Sequence, residues 1–338
     1  MQIRENISLK HYNTFGIDAS AKYFAAFANV NELEALLQED LVSKQSTRLV
    51  LGGGSNLLLT RNVNGIVLKN DINGIEVIKE DNEHVYVKAG AGENWHGLVM
   101  YCVEHGFAGM ENLSLIPGNT GASPMQNIGA YGVEIKDIFH QLEALHIESG
   151  ELRNFGLEEC QFGYRESVFK KGGKNQYIIT SVTYKLRKTP VFNTSYGAIQ
   201  QELDAMGVTE LSIQAISQAV INIRTSKLPD WREIGNAGSF FKNPQVAKEK
   251  YAQLKLAYPN LAGYPQGEGM KLAAGWLIEQ CGWKGFREGD AGCYPKQALV
   301  LVNYGTATGS QIFELSEKII ASVKEKFGVE LEREVNII

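Results

Sequence analysis

The 338-residue sequence predicts an α+β protein of more than one domain, and three observations carry that reading. The first segment alternates helix-like and strand-like stretches. The middle is dominated by β-type runs, and the last third by apolar residues at helical spacing. The length suits two or three domains at roughly 100–200 residues each.

In chain order, residues 31–41 read as a short helix capped by Asn31, with Leu33, Leu36 and Leu37 on one side. Residues 48–51 are strand-like and run into Gly52-Gly53-Gly54-Ser55-Asn56-Leu57. Residues 85–89 look like a strand, 90–92 like a turn, and 94–105 like a helix closed by Gly106. Strand-like runs follow at 142–148 and 177–186. Ile213, Ile216, Val220 and Ile223 fall three and four apart, a helical spacing that Pro229 ends, and 271–281 is a further helix candidate. Thr308 with Gln311 has the form of a capping box. Ile312, Leu315, Ile319, Val323 and Phe327 then make a stripe that Gly328 closes. Residues 329–338 alternate as a terminal strand, with Glu330, Glu332 and Glu334 on one face.

Composition excludes several classes. Lys and Arg number 33 against 38 Asp and Glu, a net charge of -5, which argues against a general nucleic-acid binder. The N-terminal residues show no apolar signal core, and no apolar run approaches the roughly 18 residues of a membrane span. Four scattered cysteines (Cys102, Cys160, Cys281, Cys293) without a Cys-x-x-Cys pair point to a reduced, cytoplasmic setting. The six histidines lie in the first half without metal-ligand spacing, so no metal is expected, and no histidine serves the second half as acid or base.

Glycine is over-represented at 35 residues, in clusters. The triplet at 52–54 follows a strand, as an anion-cradling turn would, but lacks the Gly-Lys-Ser/Thr of a P-loop. The Gly-x-Gly-x-x-Gly fingerprint fails there and again at 90–95, so a plain tight turn stays open. Residues 112–133 carry no charge until Glu134, although 21% of the chain is charged. A long neutral loop of Gly, Ser, Thr and Asn with apolar anchors can wrap a pyrophosphate in N–H and hydroxyl donors, or serve as a buried connector. Arg165 stands among aromatics, and its planar fork suits a carboxylate or enolate, while a surface pair with Glu166 is the plainer alternative. Arg224 and Lys227 sit at a helix end, where cations also meet the helix dipole favourably. Ser239, inside Gly235-Asn-Ala-Gly-Ser-Phe-Phe-Lys-Asn-Pro244, has no histidine near it, which favours a hydroxyl proton donor over a hydrolase triad.

In this order the segments Leu49-Val-Leu-Gly-Gly-Gly-Ser-Asn-Leu57, Ile116-Pro-Gly118, Pro124-Met-Gln-Asn-Ile-Gly-Ala-Tyr-Gly132, Tyr164-Arg-Glu-Ser167, Arg224-Thr-Ser-Lys-Leu-Pro229, 235–244, Gln297-Ala-Leu-Val-Leu301 and Glu334-Val335 resemble one family, the UDP-N-acetylenolpyruvoylglucosamine reductases. The resemblance spans almost the whole chain. It implies an FAD-binding module of the vanillyl-alcohol-oxidase (PCMH) type in two subdomains and a C-terminal α+β substrate-binding domain. The implied division is 1–70 for the first subdomain, with 329–338 packing near it, 71–228 for the second, and 229–328 for the substrate domain. Asn193-Thr-Ser-Tyr196-Gly197 resembles the longer, tyrosine-insertion form of the family. The triplet departs from some members at Gly53, which leaves a backbone contact intact.

The same resemblance implies FAD held by Gly52, Gly53, Gly54, Ser55, Asn56 and Leu57, by Pro117, Gly118, Asn119, Gly121, Ala122 and Ser123, and by Asn127, Gly129, Ala130, Gly132 and Arg224. It implies NADPH as hydride donor and the enolpyruvyl ether of UDP-N-acetylglucosamine as acceptor. Arg165 and Glu334 match the positions at the substrate carboxyl, and Ser239 matches the proton donor. Two carboxyl groups in contact would require a shared or extra proton. Tyr131, Tyr196, Lys227, Asn243, Tyr264, Lys284 and Gln297 match the nucleotide-sugar positions. The expected protein is a cytoplasmic monomer that binds neither nucleic acid nor membrane. Competing readings are another oxidase on the same flavin module, a nucleotide-sugar binding protein without turnover, and a serine hydrolase.

Overall fold

A computed structural model describes residues 2–338 and divides the chain into two compact units. One comprises Ala21–Gly53 and Val63–Ser226 with the N-terminal residues to Ile7. The other comprises Ser8–Ser20, Gly54–Asn62 and Lys227–Ile338.

In the first unit the strands Ser20–Phe27, Val63–Asn70 and Arg48–Leu51 run parallel, with Arg4–Ser8 at the edge. Parallel strands need their faces covered. The helix Val30–Gln38 covers one face with Leu33 and Leu36. Its cap is Asn29, not Asn31: Asn29 lies in extended backbone and its Oδ1 accepts the Glu32 N–H at 2.9 Å. The Glu32 carboxylate reaches back to the Ala28 N–H at 2.7 Å, and at Glu39 the chain turns extended before a separate turn, Asp40–Ser43.

A five-stranded antiparallel sheet follows, ordered Leu152–Gly156, Phe139–His146, Tyr177–Arg187, His84–Gly90 and Ile75–Glu80. The helix Trp95–Glu104, capped by Asn94, packs Trp95, Leu98, Val99 and Cys102 into its core beside Val85, Val87 and Tyr184. The helices Gly197–Ala205 and Ile213–Lys227 share a smaller core of Ile199, Leu203, Ile216, Val220 and Ile223.

In the second unit Gly235–Ser239, Val300–Asn303, Ala291–Cys293 and Arg287–Glu288 form an antiparallel sheet. The helix Gly309–Phe327 buries the whole stripe of Ile312, Leu315, Ile319, Val323 and Phe327. Thr308 and Gln311 cap it reciprocally, and Gly328 ends it at φ 61°. The helix expected over 271–281 is shorter. Gly269–Leu272 is the central strand of a three-stranded sheet, between Gln245–Ala247 and Gly263–Gln266, and the helix is Ala274–Gln280. The terminal segment buries Val329, Leu331 and Val335, as its alternation predicts. Its ladder is short: Asn336–Ile337 pairs in parallel with Leu57–Leu58, and Arg333 bridges to Phe241.

Candidate active site

In the first unit the neutral loop is shaped by backbone bonds to the turn that precedes the helix Trp95–Glu104. Thr120 N–H donates to Glu93 O at 2.8 Å, Gly121 N–H to Ala91 O at 2.9 Å, and Trp95 N–H to Gly118 O at 3.0 Å. The Asn119 amide donates to Gly92 O. These approaches are close. A Cβ on Gly121 would lie 2.6 Å from Ala91 Cβ, and one on Gly53 would lie 2.8 Å from Gly118 Cα, so a side chain at 53 requires the 117–119 turn to move back. The loop takes left-handed backbone at Leu115, Gly118 and Asn127. Gly129–Ala130 and Val133–Glu134 form a hairpin whose two turn residues, Tyr131 (φ 50°) and Gly132 (φ 82°), both have positive φ.

Not every position assigned to the cofactor has a side chain to spare. The Ser123 hydroxyl is 2.7 Å from the Tyr184 hydroxyl. Asn127 donates to Gly163 O at 3.0 Å and to the Glu134 carboxylate at 3.1 Å, and accepts the Lys136 N–H at 3.1 Å. Both residues set the shape of the loop. Thr120, which sequence reasoning passed over, is the reverse case: it is fully buried, and its Oγ1 has no hydrogen-bond partner among the described residues. A loop cleared of side chains around an orphaned hydroxyl fits a phosphate-bearing cofactor. We expect Gly121→Val to purify with flavin absorbance reduced several-fold and with a lower melting temperature, because the clash with Ala91 displaces the cradle.

Arg165 occupies a two-residue turn closed by Gly163 and Glu166, at φ 56°. Glu166 also pairs with Lys171. The Arg165 guanidinium lies against the neutral loop, on Gly129 O and, at 3.5 Å, on Asn127 O. Arg224 enters the same unit from the helix Ile213–Lys227. Its Nε donates to Leu115 O at 3.2 Å, and its charge interacts with the Tyr131 phenol. Burial disfavours the Arg224 charge, lowering its pKa, and raises that of Tyr131. His96 completes this node: its Nδ1 accepts the Leu115 N–H at 3.0 Å, while burial and the Arg224 charge hold its pKa below the usual histidine range. Tyr131 and Tyr196 meet edge to face, with centroids 5.5 Å apart.

In the second unit the strand bearing Ser239 has a register shift between Asn236 and Ser239, with Gly238 at φ 69°. Such a bulge re-aims the residue that follows it, and Ser239 is exposed. Glu334 N–H donates to Phe240 O at 2.8 Å, and Lys242 N–H to Glu332 O at 2.8 Å, so Ser239 and Glu334 lie on adjacent segments in fixed register. The buried Lys242 pairs with the Glu332 carboxylate and reinforces that register. Glu334 itself is half-buried, unlike the exposed Glu330 and Glu332. Ser55–Leu57 belong to this unit as well: Asn336 N–H donates to Asn56 O at 3.1 Å.

Asn243 Oδ1 accepts the Ala274 N–H at 3.0 Å, and a Cβ on Gly275 would lie 3.1 Å from Gln297 Oε1, which brings Asn243 and Gln297 to the start of one helix. Tyr264 is 57% exposed on a strand of the three-stranded sheet, Lys227 is exposed at a helix end, and Lys284 pairs with Glu279 at 2.9 Å.

Cavity size alone does not find this chemistry. A groove of about 690 Å³ in the first unit is lined by His84, Lys185, Arg187, Phe192 and Asn193, and of the assigned positions only Gly132 borders it. Burial pushes the thiols of Cys102, Cys160 and Cys293 up to about 12, which removes them as nucleophiles. Among the described residues no cluster of His, Cys, Asp and Glu could hold a metal, and no helix is long and apolar enough to cross a membrane.

Comparison with known proteins agrees with this division of labour. Residues 21–156 match an FAD binding domain, and residues 229–338 match the C-terminal domain of UDP-N-acetylenolpyruvoylglucosamine reductase. The chain is 51% identical to the UDP-N-acetylenolpyruvoylglucosamine reductase of Flavobacterium johnsoniae over all of both chains, and 51% identical to that of Pseudomonas putida over 100% of this chain and 99% of the relative. The crystal structure of UDP-N-acetylenolpyruvylglucosamine reductase from Thermus caldophilus superposes with a TM-score of 0.70 at 25% identity, covering 99% of both chains. A flavin-type loop in one unit, a serine and a glutamate in register in the other, and similarity from end to end converge on a single assignment: the chain belongs to the UDP-N-acetylenolpyruvoylglucosamine reductase family.

Proposed function

We propose that the chain catalyses the reaction for which its family is named, the FAD-dependent reduction of the enolpyruvyl ether of UDP-N-acetylglucosamine to UDP-N-acetylmuramate, with NADPH as the electron source. The observation that carries the reading is the Glu334 N–H to Phe240 O bond, which holds the backbone of Glu334 beside the bulged strand end that carries Ser239, in a segment that matches this family's C-terminal domain. Bound FAD supplies two-electron redox chemistry, and the protein supplies placement and charge. Gly53, Gly118, Asn119 and Gly121 form the part of the cradle that admits the cofactor's backbone contacts.

The residues then divide the remaining work. Reduction of the vinyl group leaves negative charge on the carbon beside the carboxylate. Arg165 offers its fork to that carboxylate, while Gly129 O and Asn127 O hold the guanidinium in orientation. The Ser239 Oγ–H gives its proton to the carbon, completing addition of two hydrogens across the double bond. Where Glu334 meets the substrate carboxyl, one of the two groups carries a proton or shares Arg165, since two adjacent carboxylates repel. Tyr131, Tyr196, Lys227, Asn243, Tyr264, Lys284 and Gln297 hold the uridine diphosphate and sugar. The net charge of -5 requires such cations to be concentrated locally. We further propose that the protein acts as a cytoplasmic monomer, with residues 1–70 and 71–228 as the two cofactor subdomains and 229–328 as the substrate domain.

The test is spectroscopic. The purified protein should be yellow, bleach when NADPH is added without oxygen, and regain its absorbance when the enolpyruvyl nucleotide sugar is added. A colourless protein that never takes up flavin on reconstitution refutes the reading. A flavin that oxygen reoxidises but the sugar does not would favour an oxidase on the same module.

A further inference from the structure

The hairpin turn at Tyr131-Gly132 poses a physical problem. Both residues have positive φ, the geometry of a turn that normally carries Asn or Gly, and a tyrosine there is strained. Strain of this kind persists only where the surroundings over-determine it. Two side-chain amides do so. Asn112, 1% exposed, donates one Nδ2 hydrogen to Tyr131 O at 2.9 Å and the other to Asn193 O at 2.9 Å. Asn193 donates to Gly132 O at 3.0 Å and accepts the Ser195 hydroxyl at 2.9 Å. Both carbonyls of the strained turn are thus held by amides, and the same amides tie that turn to the root of the segment bearing Tyr196. Asn112 is itself anchored, because its 3-10 turn is pinned by Gly109 N–H on the buried Glu111 carboxylate at 2.6 Å. Beyond the latch, the Tyr131 and Tyr196 rings meet edge to face.

We propose that Asn112 and Asn193 are positioning residues for the nucleotide sugar: their reciprocal amide latch sets the Tyr131–Tyr196 pair before substrate arrives. The proposal rests on the reading above, in which those two tyrosines contact the substrate. A latch of this kind lowers the ordering cost of binding and leaves the chemical step unchanged. It therefore belongs in KM rather than kcat.

Asn193 is half-buried and tolerates truncation better than Asn112, so Asn193→Ala carries the test. Loss of its bonds should raise KM for the enolpyruvyl nucleotide sugar about tenfold, with flavin content unchanged and kcat at saturation within about twofold. In a Tyr196→Ala background the same substitution should add less than about twofold, since its effect passes through Tyr196. Asn112→Asp, which keeps shape but loses both donors, should reproduce the rise in KM if it folds. A KM for Asn193→Ala within twofold of wild type, or a full tenfold effect on top of Tyr196→Ala, overturns the latch. Absence of turnover in the wild-type enzyme refutes the functional reading instead, and is seen before any variant is made.

Discussion

Ser239→Ala should reduce turnover at least about 10²–10³-fold while the protein still folds, binds flavin and oxidises NADPH in a single turnover. A serine hydroxyl is a weak acid in water, so its service as proton donor depends on placement opposite a strongly basic carbon. The local backbone is suited to that role. The register shift and the left-handed Gly238 break the strand just before Ser239, and Phe240 behind it is fully buried. The backbone is thereby fixed while the hydroxyl is exposed. Because Ser239 contributes nothing to the core, alanine should leave the melting temperature unchanged, and any lost activity is chemical. A near-normal steady-state rate would exclude the acid role. A loss of flavin or a drop in melting temperature would show instead that the bulge had been disturbed.

The sequence disclosed this site unevenly, and the pattern has a physical basis. Signals that act over a few residues were legible: the Thr308–Gln311 box, the Gly328 stop and the stripe between them require only local periodicity and capping chemistry. The uncharged stretch before Glu134 was legible for a related reason, since a long neutral loop with apolar anchors is rare without a role. Residues 271–272 belong to a strand rather than the expected helix because their strand state depends on two partners, Gln245–Ala247 and Gly263–Gln266, that no local pattern announces. Asn31 and the actual cap Asn29 are the same residue type, and the reach of Glu32 back to Ala28, a contact rather than a composition, decides between them. Glu334 looked like one of three solvated glutamates. The resemblance singles it out, and its half-burial and its N–H bond to Phe240 O distinguish it from the exposed Glu330 and Glu332. Thr120 and Asn112 left no trace in the sequence at all, because an orphaned hydroxyl and a shared carboxamide are properties of contacts between distant segments.

Arg165 offers the sharpest separation of stability from function. Arg165→Ala should lose at least about 10²–10³ in rate with flavin retained, as expected for removal of a preorganised partner of developing charge. Arg165→Lys should recover only part of that loss, since a single ammonium cannot rest on Gly129 O and Asn127 O and also present a planar fork to a carboxylate. The backbone supplies the independent measurement. At φ 56° any residue with a Cβ is strained, so Arg165→Gly should be more stable than Arg165→Ala by about 1 kcal/mol, although both are equally inactive. A higher melting temperature for the glycine variant, with no gain in rate, would show that the turn tolerates strain to keep a guanidinium in place. If the lysine variant worked at close to the wild-type rate, charge alone would suffice at this position, and the orientation imposed by the two carbonyls would have no part in the reaction.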